Sequence, residues 1–308
     1  FMKHHIPVLL DDVIKFLDIK PEGIYMDCTI GFGGHSKSII KKLNRRGLLI
    51  GLDLDPYALN ETEKKLNQYN KNVSLHNCSY SVFPQILEKL GIDKIDGFLF
   101  DLGISSYQID SEHRGFSYMK NSKLDMRFNN NDQNIKTAKN IVNSLSEKSL
   151  SEAFKDYGDL HDNDKIAKAI INARAKKEIS TTFELKEILT KALPYINYKK
   201  LSVIFQVIRI LVNDEINTFK NTLKQTINYL KIGGKIAVIS FHSIEDRIVK
   251  HFFKDGVIYK NTTYDIEYMD LNHKIKVLTK KPIVETFASI KNNRRSRSAK
   301  LRVAERIS

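Results

Sequence analysis

Short apolar runs alternate with amphipathic stretches along the first hundred residues of the 308-residue chain. Each run is mostly apolar, and the segments between runs have the periodicity of helices. The predicted strands are residues 24–27, 47–54, 73–76 and 95–102, and the predicted helices are residues 35–43, 56–69 and 82–90. Apolar strands separated by helices are typical of a parallel sheet covered on both faces. We therefore predict an α/β fold with a Rossmann-like, doubly wound sheet.

The pattern changes between about residues 106 and 202, where no apolar strand-like run occurs. Helices are predicted there at residues 145–154, 164–175 and 182–193. The α/β pattern then resumes with a helix over 203–230, a turn at Gly233-Gly234 and strands at 235–240, 275–278 and 301–304. The simplest arrangement is one α/β domain of residues 1–106 and 203–308, with an inserted helical domain of residues 107–202.

Composition and charge narrow the class of protein. Hydrophobic residues make up 42% and charged residues 28% of the chain, which excludes wholesale disorder and a fibrous protein. The net charge of +14 favours a polyanionic partner such as nucleic acid. No apolar window is long enough for a membrane span, and we expect neither a membrane partner nor a secretory signal. Two cysteines, Cys28 and Cys78, are too few for a disulfide framework and have no metal-ligand spacing, so we expect a cytoplasmic protein without a metal site.

The most informative motif is the run DCTIGFGGH, residues 27–35, which leaves the first predicted strand and enters a helix. Its glycines, Gly31, Gly33 and Gly34, permit unusual backbone angles and close approach of a ligand. Twenty residues after Gly33, Asp53 stands at the end of the second predicted strand, where a carboxylate can accept the hydroxyls of a ribose. Together these features predict a cofactor that contains a nucleoside.

The acid at the end of the first strand separates two cofactor classes. Dinucleotide sites favour the pattern GxGxxG with a pyrophosphate at the helix terminus, and Asp27 would repel that group. A carboxylate at this point suits the ammonium group of a methionine moiety, which favours S-adenosylmethionine (AdoMet) over a nicotinamide dinucleotide. The alternative is that Asp27 only stabilises the turn or caps the helix.

Two further strand ends carry polar side chains. Asp101 ends the fourth predicted strand, and in an open α/β sheet the carboxyl ends of strands line the binding crevice. Its alternative role is a cap on the following helix. After the strand at 235–240, Ser243 and Asp246 resemble a capping box, which explains them structurally. His242 is a candidate site residue beside the crevice, and its alternative role is that of a satisfied packing residue.

Ordered motifs over nearly the whole chain resemble the ribosomal RNA small-subunit cytidine N4-methyltransferase family (RsmH, also called MraW). They are HIPVLL at residues 5–10, the loop 29–36, DLDP at 53–56, DG at 96–97, DLGISS at 101–106, RGFS at 114–117, LDMR at 124–127, FQ at 205–206, RI at 209–210, VN at 212–213 with Glu215, residues 240–250, and LRVAER at 301–306. Cys28 is a departure, because the family usually has glycine there and a thiol could crowd the methionine end of the cofactor.

The resemblance implies a class I AdoMet-dependent methyltransferase fold whose inserted helical domain recognises the substrate. It implies methylation of the exocyclic N4 of a cytidine in the decoding region of 16S rRNA, with rRNA or the small subunit as partner. Cofactor contacts carried over from the family fall on Gly33, Gly34, His35, Asp53, Asp101, Gln108 and Tyr80.

Transfer to an exocyclic amine needs no covalent intermediate, so positioning and a proton acceptor are the expected requirements. Asp101 is the first candidate acceptor, with His242 and Asp125 as candidates for holding the base. The target cytidine has to leave its stack, and aromatic residues such as Phe116 and Tyr118 could sandwich it, unless they are core aromatics of the inserted domain. We also expect RNA contacts from the basic residues Arg114, Arg127, Arg294, Arg295 and Arg297, although the last three could lie on a merely solvated edge.

Other classes of protein stay open at this point. A DNA amino-methyltransferase would often carry a Pro-Pro-aromatic run after the fourth strand, which this chain lacks. A nicotinamide-dependent dehydrogenase is disfavoured by the loop pattern, and a non-catalytic RNA-binding assembly factor by the intact Gly33, Gly34, Asp53 and Asp101. Dimerisation is not decided by the sequence.

Overall fold

The computed structural model describes residues 7–259, 266–269, 271 and 274–308, and the following description is confined to them. Two compact units divide the chain. The α/β unit comprises the residues up to Gly103 and those from Thr218 onward, and the inserted unit comprises Ile104–Asn217. The second boundary therefore falls beyond the position 202 that the sequence pattern suggested, and the assignment of substrate recognition to the insertion stays a prediction.

The strands in chain order are β1 Ile24–Asp27, β2 Leu48–Asp53, β3 Val73–Asn77, β4 Ile95–Asp101, β5 Leu230–Ser240, β6 Val257–Tyr259, β7 Ile266–Tyr268, β8 Ile275–Val277, β9 Ile283–Val284 and β10 Lys300–Arg306. The helices are α1 Leu10–Leu17, α2 Gly34–Ile40, α3 Pro56–Leu66, α4 Phe83–Lys89, α5 Ser106–Asp110, α6 Ala138–Ser144, α7 Glu147–Asp156, α8 Asn163–Arg174, α9 Thr182–Ala192, α10 Tyr198–Asn213, α11 Glu215–Tyr229, α12 Ser243–Asp255 and α13 Phe287–Asn292.

The α/β unit is built on a sheet with the strand order β3-β2-β1-β4-β5-β10-β8, with β9 paired to β10. Strands β1 to β5 pair in parallel, and β10 runs antiparallel to β5. The order reverses between β1 and β4, which makes the carboxyl ends of these two strands the topological switch point. The predicted doubly wound α/β fold is therefore confirmed.

Strand β4 is buried on both of its faces, as a central parallel strand requires. Phe98 and Phe100 point to one face, where Phe98 packs edge-on against Phe83 of α4 and Phe100 against Phe219 of α11. Leu99 lies in a separate apolar cluster with residues of α1, β2 and β10. Burial of each such side chain contributes about 2 kcal/mol, so β4 is held firmly and its last residue, Asp101, has a fixed position.

Two predicted elements differ from the structure. The helix predicted over residues 203–230 is two helices, α10 and α11, because Asp214 between them adopts a left-handed conformation with φ of 46°. The predicted turn at Gly233-Gly234 lies inside β5, where the pairing with β4 jumps from Leu230 to Lys235. The glycines therefore form an irregularity within a strand rather than a connection between elements.

The inserted unit is predominantly helical and has its own core, formed by residues of α6 to α10 together with Phe116, Leu124 and Met126. One pair of buried charges is neutralised within this unit. Arg209 on α10 forms a two-pronged ion pair with Glu215, with Nε–Oε1 and Nη2–Oε2 distances of 2.7 and 2.9 Å. None of the helices in the described part of the chain is both long and apolar enough to cross a membrane.

Candidate active site

The loop after β1 is fixed by backbone bonds to the neighbouring strands. The Cys28 N–H donates to the Leu99 carbonyl of β4 at 2.8 Å, and the Ile30 N–H donates to the Leu52 carbonyl of β2 at 2.9 Å. The Asp101 N–H donates to the Thr29 hydroxyl oxygen at 2.7 Å. The loop therefore sits at the carboxyl ends of three adjacent strands, where the sequence predicted it.

The three loop glycines have different local surroundings. Gly33 has φ of +70°, and a Cβ there would approach Thr62 Cγ2 to 2.8 Å, while a Cβ on Gly34 would approach Pro7 Cγ to 2.5 Å. Gly31 also has positive φ, but its Cβ would meet nothing nearer than the Thr29 carbonyl at 3.8 Å. Gly33 and Gly34 are thus required by packing within the protein, and Gly31 is the position where the backbone is open to a ligand.

Asp27 is only 1% exposed and is engaged within the loop. Its Oδ2 accepts from the Ser36 hydroxyl at 2.7 Å and its Oδ1 from the Thr29 N–H at 3.2 Å. Burial raises the pKa of Asp27 to about 6. The structure therefore shows the alternative role for this carboxylate, stabilisation of the turn, and a direct contact with a cofactor stays a prediction.

Asp53 ends β2 and is half-buried. Its Oδ2 accepts from the Gly31 N–H at 2.7 Å and its Oδ1 from the Asp55 N–H at 2.8 Å, while burial raises its pKa to about 6. Since each carboxylate oxygen has two acceptor sites, these two bonds orient the group and leave acceptor capacity for ligand hydroxyls.

His35 connects the loop to the segment before α1. Its Nε2 lies 2.9 Å from the Val8 carbonyl, which can only accept, so this nitrogen carries a proton. Burial lowers the pKa of His35, which keeps the ring neutral and leaves Nδ1 without a proton. Nδ1 is 3.6 Å from Asp101 Oδ2. His35 therefore joins the loop to the segment before α1 and lies beside the carboxyl group at the end of β4.

Asp101, the last residue of β4, has a buried oxygen without a partner in the described part of the chain. Its Oδ1 is buried and has no hydrogen-bond partner among the described residues, although 19% of the side chain is exposed. Burial, followed by the negative charge of Glu245, raises its pKa to about 7. The helix after β4 is capped by Ser105, which accepts from the Gln108 N–H, so the alternative interpretation of Asp101 as a cap is wrong.

His242 follows β5 and is the N-cap residue of α12, so the predicted capping box of Ser243 and Asp246 is wrong. Glu245 fills the acidic position instead, and its Oε2 accepts from the Phe241 N–H at 2.9 Å. Its Oε1 is 2.9 Å from Nε2 of His242, but the angles are unsuitable, and neither ring nitrogen has a hydrogen bond within the described chain. Asp246 is bonded to Lys300 and Arg302 of β10.

Sequence reasoning missed Glu245, which is 3% exposed and raises the pKa of Asp101. The signal was present as the spacing HSIE, with an acid three residues after the N-cap, but histidine is not a usual cap.

Tyr80 lies just after β3 and packs edge-on against Phe100 with ring centroids 5.7 Å apart. The thiol of Cys28 is buried, which raises its pKa well above 9.

The remaining predicted residues of the 104–217 segment have contacts inside the inserted unit. Gln108 completes the cap of α5 through its Oε1, which accepts from the Ser105 N–H at 3.0 Å. Asp125 and Arg127 form a two-pronged pair with distances of 2.9 and 2.8 Å. Arg114 donates to the Phe128 carbonyl at 2.7 Å, and Phe116 is part of the core. These contacts support a structural role for each residue. Catalysis by Asp125, cofactor binding by Gln108 and RNA contacts by Arg114, Phe116 and Arg127 stay predictions.

The three arginines near the end of the chain form part of a short 3-10 helix, Arg294–Ser298, in the α/β unit. Arg294, Arg295 and Arg297 are exposed, whereas Ser296 between them is buried. This alternation directs three cationic side chains outward from one turn, as a phosphate-binding role would require.

Residues 2–307 match the model of the MraW methylase family. The chain belongs to this family. The relatives named ribosomal RNA small subunit methyltransferase H include one from Clostridium botulinum strain Loch Maree, 44% identical and covering 98% of this chain and 99% of its own length. Those from Caldicellulosiruptor saccharolyticus and Mycoplasmopsis pulmonis are 45% and 44% identical, and each covers 99% of this chain and 100% of its own.

Family membership agrees with the motifs identified in the sequence. Residues 5 and 6, the first two of the motif HIPVLL, lie outside the described residues. The motifs at 29–36 and 53–56 and the start of the motif at 101–106 are the segments that the structure brings together at the carboxyl ends of β1, β2 and β4. These three motif segments therefore surround the topological switch point.

Proposed function

We propose that this protein transfers the methyl group of AdoMet to the exocyclic N4 of a cytidine in the decoding region of 16S rRNA. The names of its relatives support an rRNA of the small subunit as substrate. The choice of the N4 atom and of the decoding region follows from the motif resemblance. The observation that carries the proposal is the buried, unpartnered Oδ1 of Asp101 at the end of β4, where a substrate amine needs an acceptor.

The residues around the switch point fit AdoMet. Asp53 would accept from the ribose hydroxyls, and Gly31, with no neighbour that a Cβ would strike, allows the ligand to approach the loop backbone. The bound cofactor supplies an electrophilic methyl group on a sulfonium. Tyr80, just after β3, and His35, in the first turn of α2, are further proposed contacts.

Asp101 then acts on the substrate amine. The lone pair of a cytosine amine is delocalised into the ring, and the amine loses a proton when it is methylated. A carboxylate with a pKa of about 7 is ionised in a large fraction of molecules at neutral pH and is basic enough to accept a proton. His242, whose ring nitrogens have no hydrogen bond among the described residues, is the second proposed contact to the base.

Binding of the RNA strand is proposed to involve the exposed arginines Arg294, Arg295 and Arg297. Arginine recognises phosphate through a planar set of donors. Because each neutralised phosphate releases counterions, RNA affinity should fall steeply with salt, and alanine substitutions at these three positions should reduce that dependence.

Mass mapping of small-subunit rRNA from cells with and without the gene tests the reaction and its target. One cytidine of the decoding region should lose one methyl group in the deletion strain, and an unchanged methylation pattern would contradict the proposal. Single-turnover methyl transfer by the Asp101→Ala variant tests the role of the carboxylate. A near-normal rate in that variant would remove Asp101 from the mechanism.

A further inference from the structure

The surface of the inserted unit carries a group of aromatic rings that belong to three separate segments. Tyr118 lies in the loop before α6, Phe183 and Lys186 lie on α9, and Tyr198 is the first residue of α10. Phe183 is 42% and Tyr198 68% exposed. We name these four residues the Tyr118 surface.

The rings are close enough to form a continuous surface. Tyr118 and Tyr198 are nearly parallel, with an interplanar angle of 16° and centroids 6.5 Å apart. The ammonium of Lys186 lies 6.0 Å from the centroid of Tyr118 and 5.5 Å from that of Phe183. Lys186 therefore connects the ring on the loop with the ring on its own helix through cation–π contacts.

The position of Tyr118 is fixed before any partner binds. Its ring packs edge-on against the core residue Phe205, with centroids 5.5 Å apart. Its hydroxyl lies 3.2 Å from the Tyr198 carbonyl and 3.0 Å from the Ser202 hydroxyl. A ring that is already ordered loses little entropy when it stacks on a ligand, so the surface is prepared for binding.

The loop that carries Tyr118 is attached to the start of α9 by further hydrogen bonds. The Thr182 hydroxyl donates to the Lys120 carbonyl at 2.6 Å and accepts from the Ser122 N–H at 3.0 Å. The Leu124 N–H donates to the Ser180 carbonyl at 3.0 Å. These bonds fix the loop against the start of α9. The rings of the Tyr118 surface are therefore carried by segments that are hydrogen-bonded to each other.

The charge around the surface is positive and uncompensated. Within the described chain, no carboxylate lies within ion-pair distance of Lys186 or Lys199. The nearby acids are used by other lysines, because Glu184 pairs with Lys177 and Glu187 with Lys191, in both cases with N–O distances of 2.6 Å. The ammonium groups of Lys186 and Lys199 remain available to an anionic partner.

We infer that the Tyr118 surface binds a single-stranded segment of the RNA substrate, with unpaired bases stacked on the exposed rings and Lys186 against the phosphates. Exposed aromatic faces next to unpaired lysines are the arrangement by which proteins hold single-stranded nucleic acid. A duplex offers no free base faces, so the surface selects unstacked RNA. This inference rests on the proposed function in taking RNA as the substrate, and it adds a binding site for the RNA strand on the inserted unit.

Fluorescence anisotropy with a labelled single-stranded RNA of about ten nucleotides tests the inference. The Tyr198→Ala variant should weaken single-strand binding roughly tenfold, because one stacking partner is lost. Lys186→Gln should weaken it less and should lower the slope of log affinity against log salt by about 0.7. A duplex of the same sequence should bind the Tyr198→Ala variant as it binds the unmodified protein.

Matched controls remove a similar side chain elsewhere. Tyr268 is 73% exposed but lies in the α/β unit, and Lys191 is a lysine of α9 that is already paired with Glu187. Tyr268→Ala and Lys191→Gln should leave single-strand affinity unchanged. The inference is overturned if Tyr198→Ala binds like Tyr268→Ala, or if single strand and duplex lose affinity equally.

The inference and the proposed function can fail separately. Methylation of rRNA by the unmodified protein together with unchanged RNA binding in Tyr198→Ala would overturn the inference alone. Weakened RNA binding in Tyr198→Ala without methylation of rRNA would overturn the proposed reaction alone. Circular dichroism and AdoMet calorimetry on each variant verify that the fold and the other unit are intact, so that a loss of RNA affinity reports on the surface.

Discussion

Buried acids in the α/β unit and buried arginines in the inserted unit have contrasting surroundings. Burial raises the pKa values of Asp27, Asp53 and Asp101 to about 6, 6 and 7. In the inserted unit, by contrast, Arg127 and Arg209 each form a two-pronged pair with a carboxylate. At the ends of β1, β2 and β4 the cost of desolvating the carboxylates is offset by few or no hydrogen bonds within the described chain, whereas each of these two arginines is offset by a carboxylate.

The acids at the strand ends are where a ligand is expected to supply missing interactions. A buried charge without a partner costs stability, and natural proteins retain such charges mainly at sites where a ligand or substrate supplies the missing interaction. Buried arginines with complete partners are typical of residues that hold a loop or a helix break in place. Charge pairing therefore distinguishes these three acids from the two arginines better than burial does, and from Asp246 of the α/β unit, which is paired with Lys300 and Arg302.

The largest expected effect is the loss of activity in Asp101→Asn. The amide preserves the volume of the side chain but cannot accept the proton of the amine, so the single-turnover rate should fall by about 100- to 10,000-fold. Methyl transfer to small-subunit rRNA measures this. A rate within about tenfold of the unmodified protein would show that the unpartnered oxygen has no catalytic purpose.

Asp101→Asn should increase the stability of the protein although it lowers the activity. Folding raises the pKa of Asp101 from 3.8 to about 7, so the folded state binds more protons between these values. The stability of the unmodified protein therefore falls as pH rises from about 4 to about 7 and stays reduced above that. Asp101→Asn removes this loss and should increase the free energy of unfolding at pH 8 by about 1–3 kcal/mol, as urea titration would show. A variant less stable than the unmodified protein at pH 8 would contradict the expected cost of the buried carboxylate.

Removing a carboxylate from a buried ion pair of the inserted unit should lower the free energy of unfolding, whereas Asp101→Asn should raise it. Glu215→Gln leaves Arg209 buried without its counter-charge and should lower the free energy of unfolding by about 3–5 kcal/mol. Glu152→Gln is the control, because its pair with Lys148 is exposed and its N–O distance is 3.9 Å. The control should change stability by less than about 1 kcal/mol. Equal effects in urea unfolding would refute the contrast between buried and exposed pairs.

The glycine loop offers a smaller but specific test of the ligand site. A Cβ at position 33 would strike Thr62 at 2.8 Å, whereas Gly91 has nearly the same φ, +67°, and no neighbour within 4 Å. Both alanine variants should lose about 1 kcal/mol from backbone strain. Only Gly33→Ala should also weaken AdoMet binding, by about tenfold in calorimetry, because the loop has to shift. Similar AdoMet affinities in the two variants would show that strain alone matters.

The smallest expected effect is a shift of the pH profile in Glu245→Gln. The charge of Glu245 raises the pKa of Asp101, so its removal should lower that pKa and move the acid limb of kcat/KM to lower pH by about half a unit to one unit. Asp255→Asn, at the opposite end of α12, is the control and should leave the profile unchanged. An unshifted acid limb in Glu245→Gln would assign the limb to another group.

The sequence predicted features that depend on local pattern. Strands β1 to β4 were placed within a residue or two, because apolar runs bounded by glycine and polar residues have few other solutions. The positions of Asp53, Asp101 and His242 at strand ends were predicted because strand ends in a doubly wound sheet meet at one edge. The family motifs fall on the same positions.

Features that depend on tertiary contacts were not predicted. Asp214 breaks a continuous helical pattern by adopting a left-handed conformation, which its residue type only weakly favours. Arg114 and Arg127 were expected at the RNA as basic residues, and only the folded loop shows that they are buried. The role of Glu245 depends on its proximity to Asp101, a residue 144 positions earlier in the chain, which no local pattern records.

The pairing of β4 with β5 has a consequence for the order in which the chain folds. The two strands are neighbours in the sheet, yet the whole inserted unit is synthesised between them. A contiguous helical segment rich in local contacts folds quickly, whereas a sheet that requires distant partners folds slowly. We therefore expect the insertion to be structured on the ribosome while the exposed edge of β4 still awaits its neighbour, which makes that edge the point most vulnerable to aggregation during synthesis.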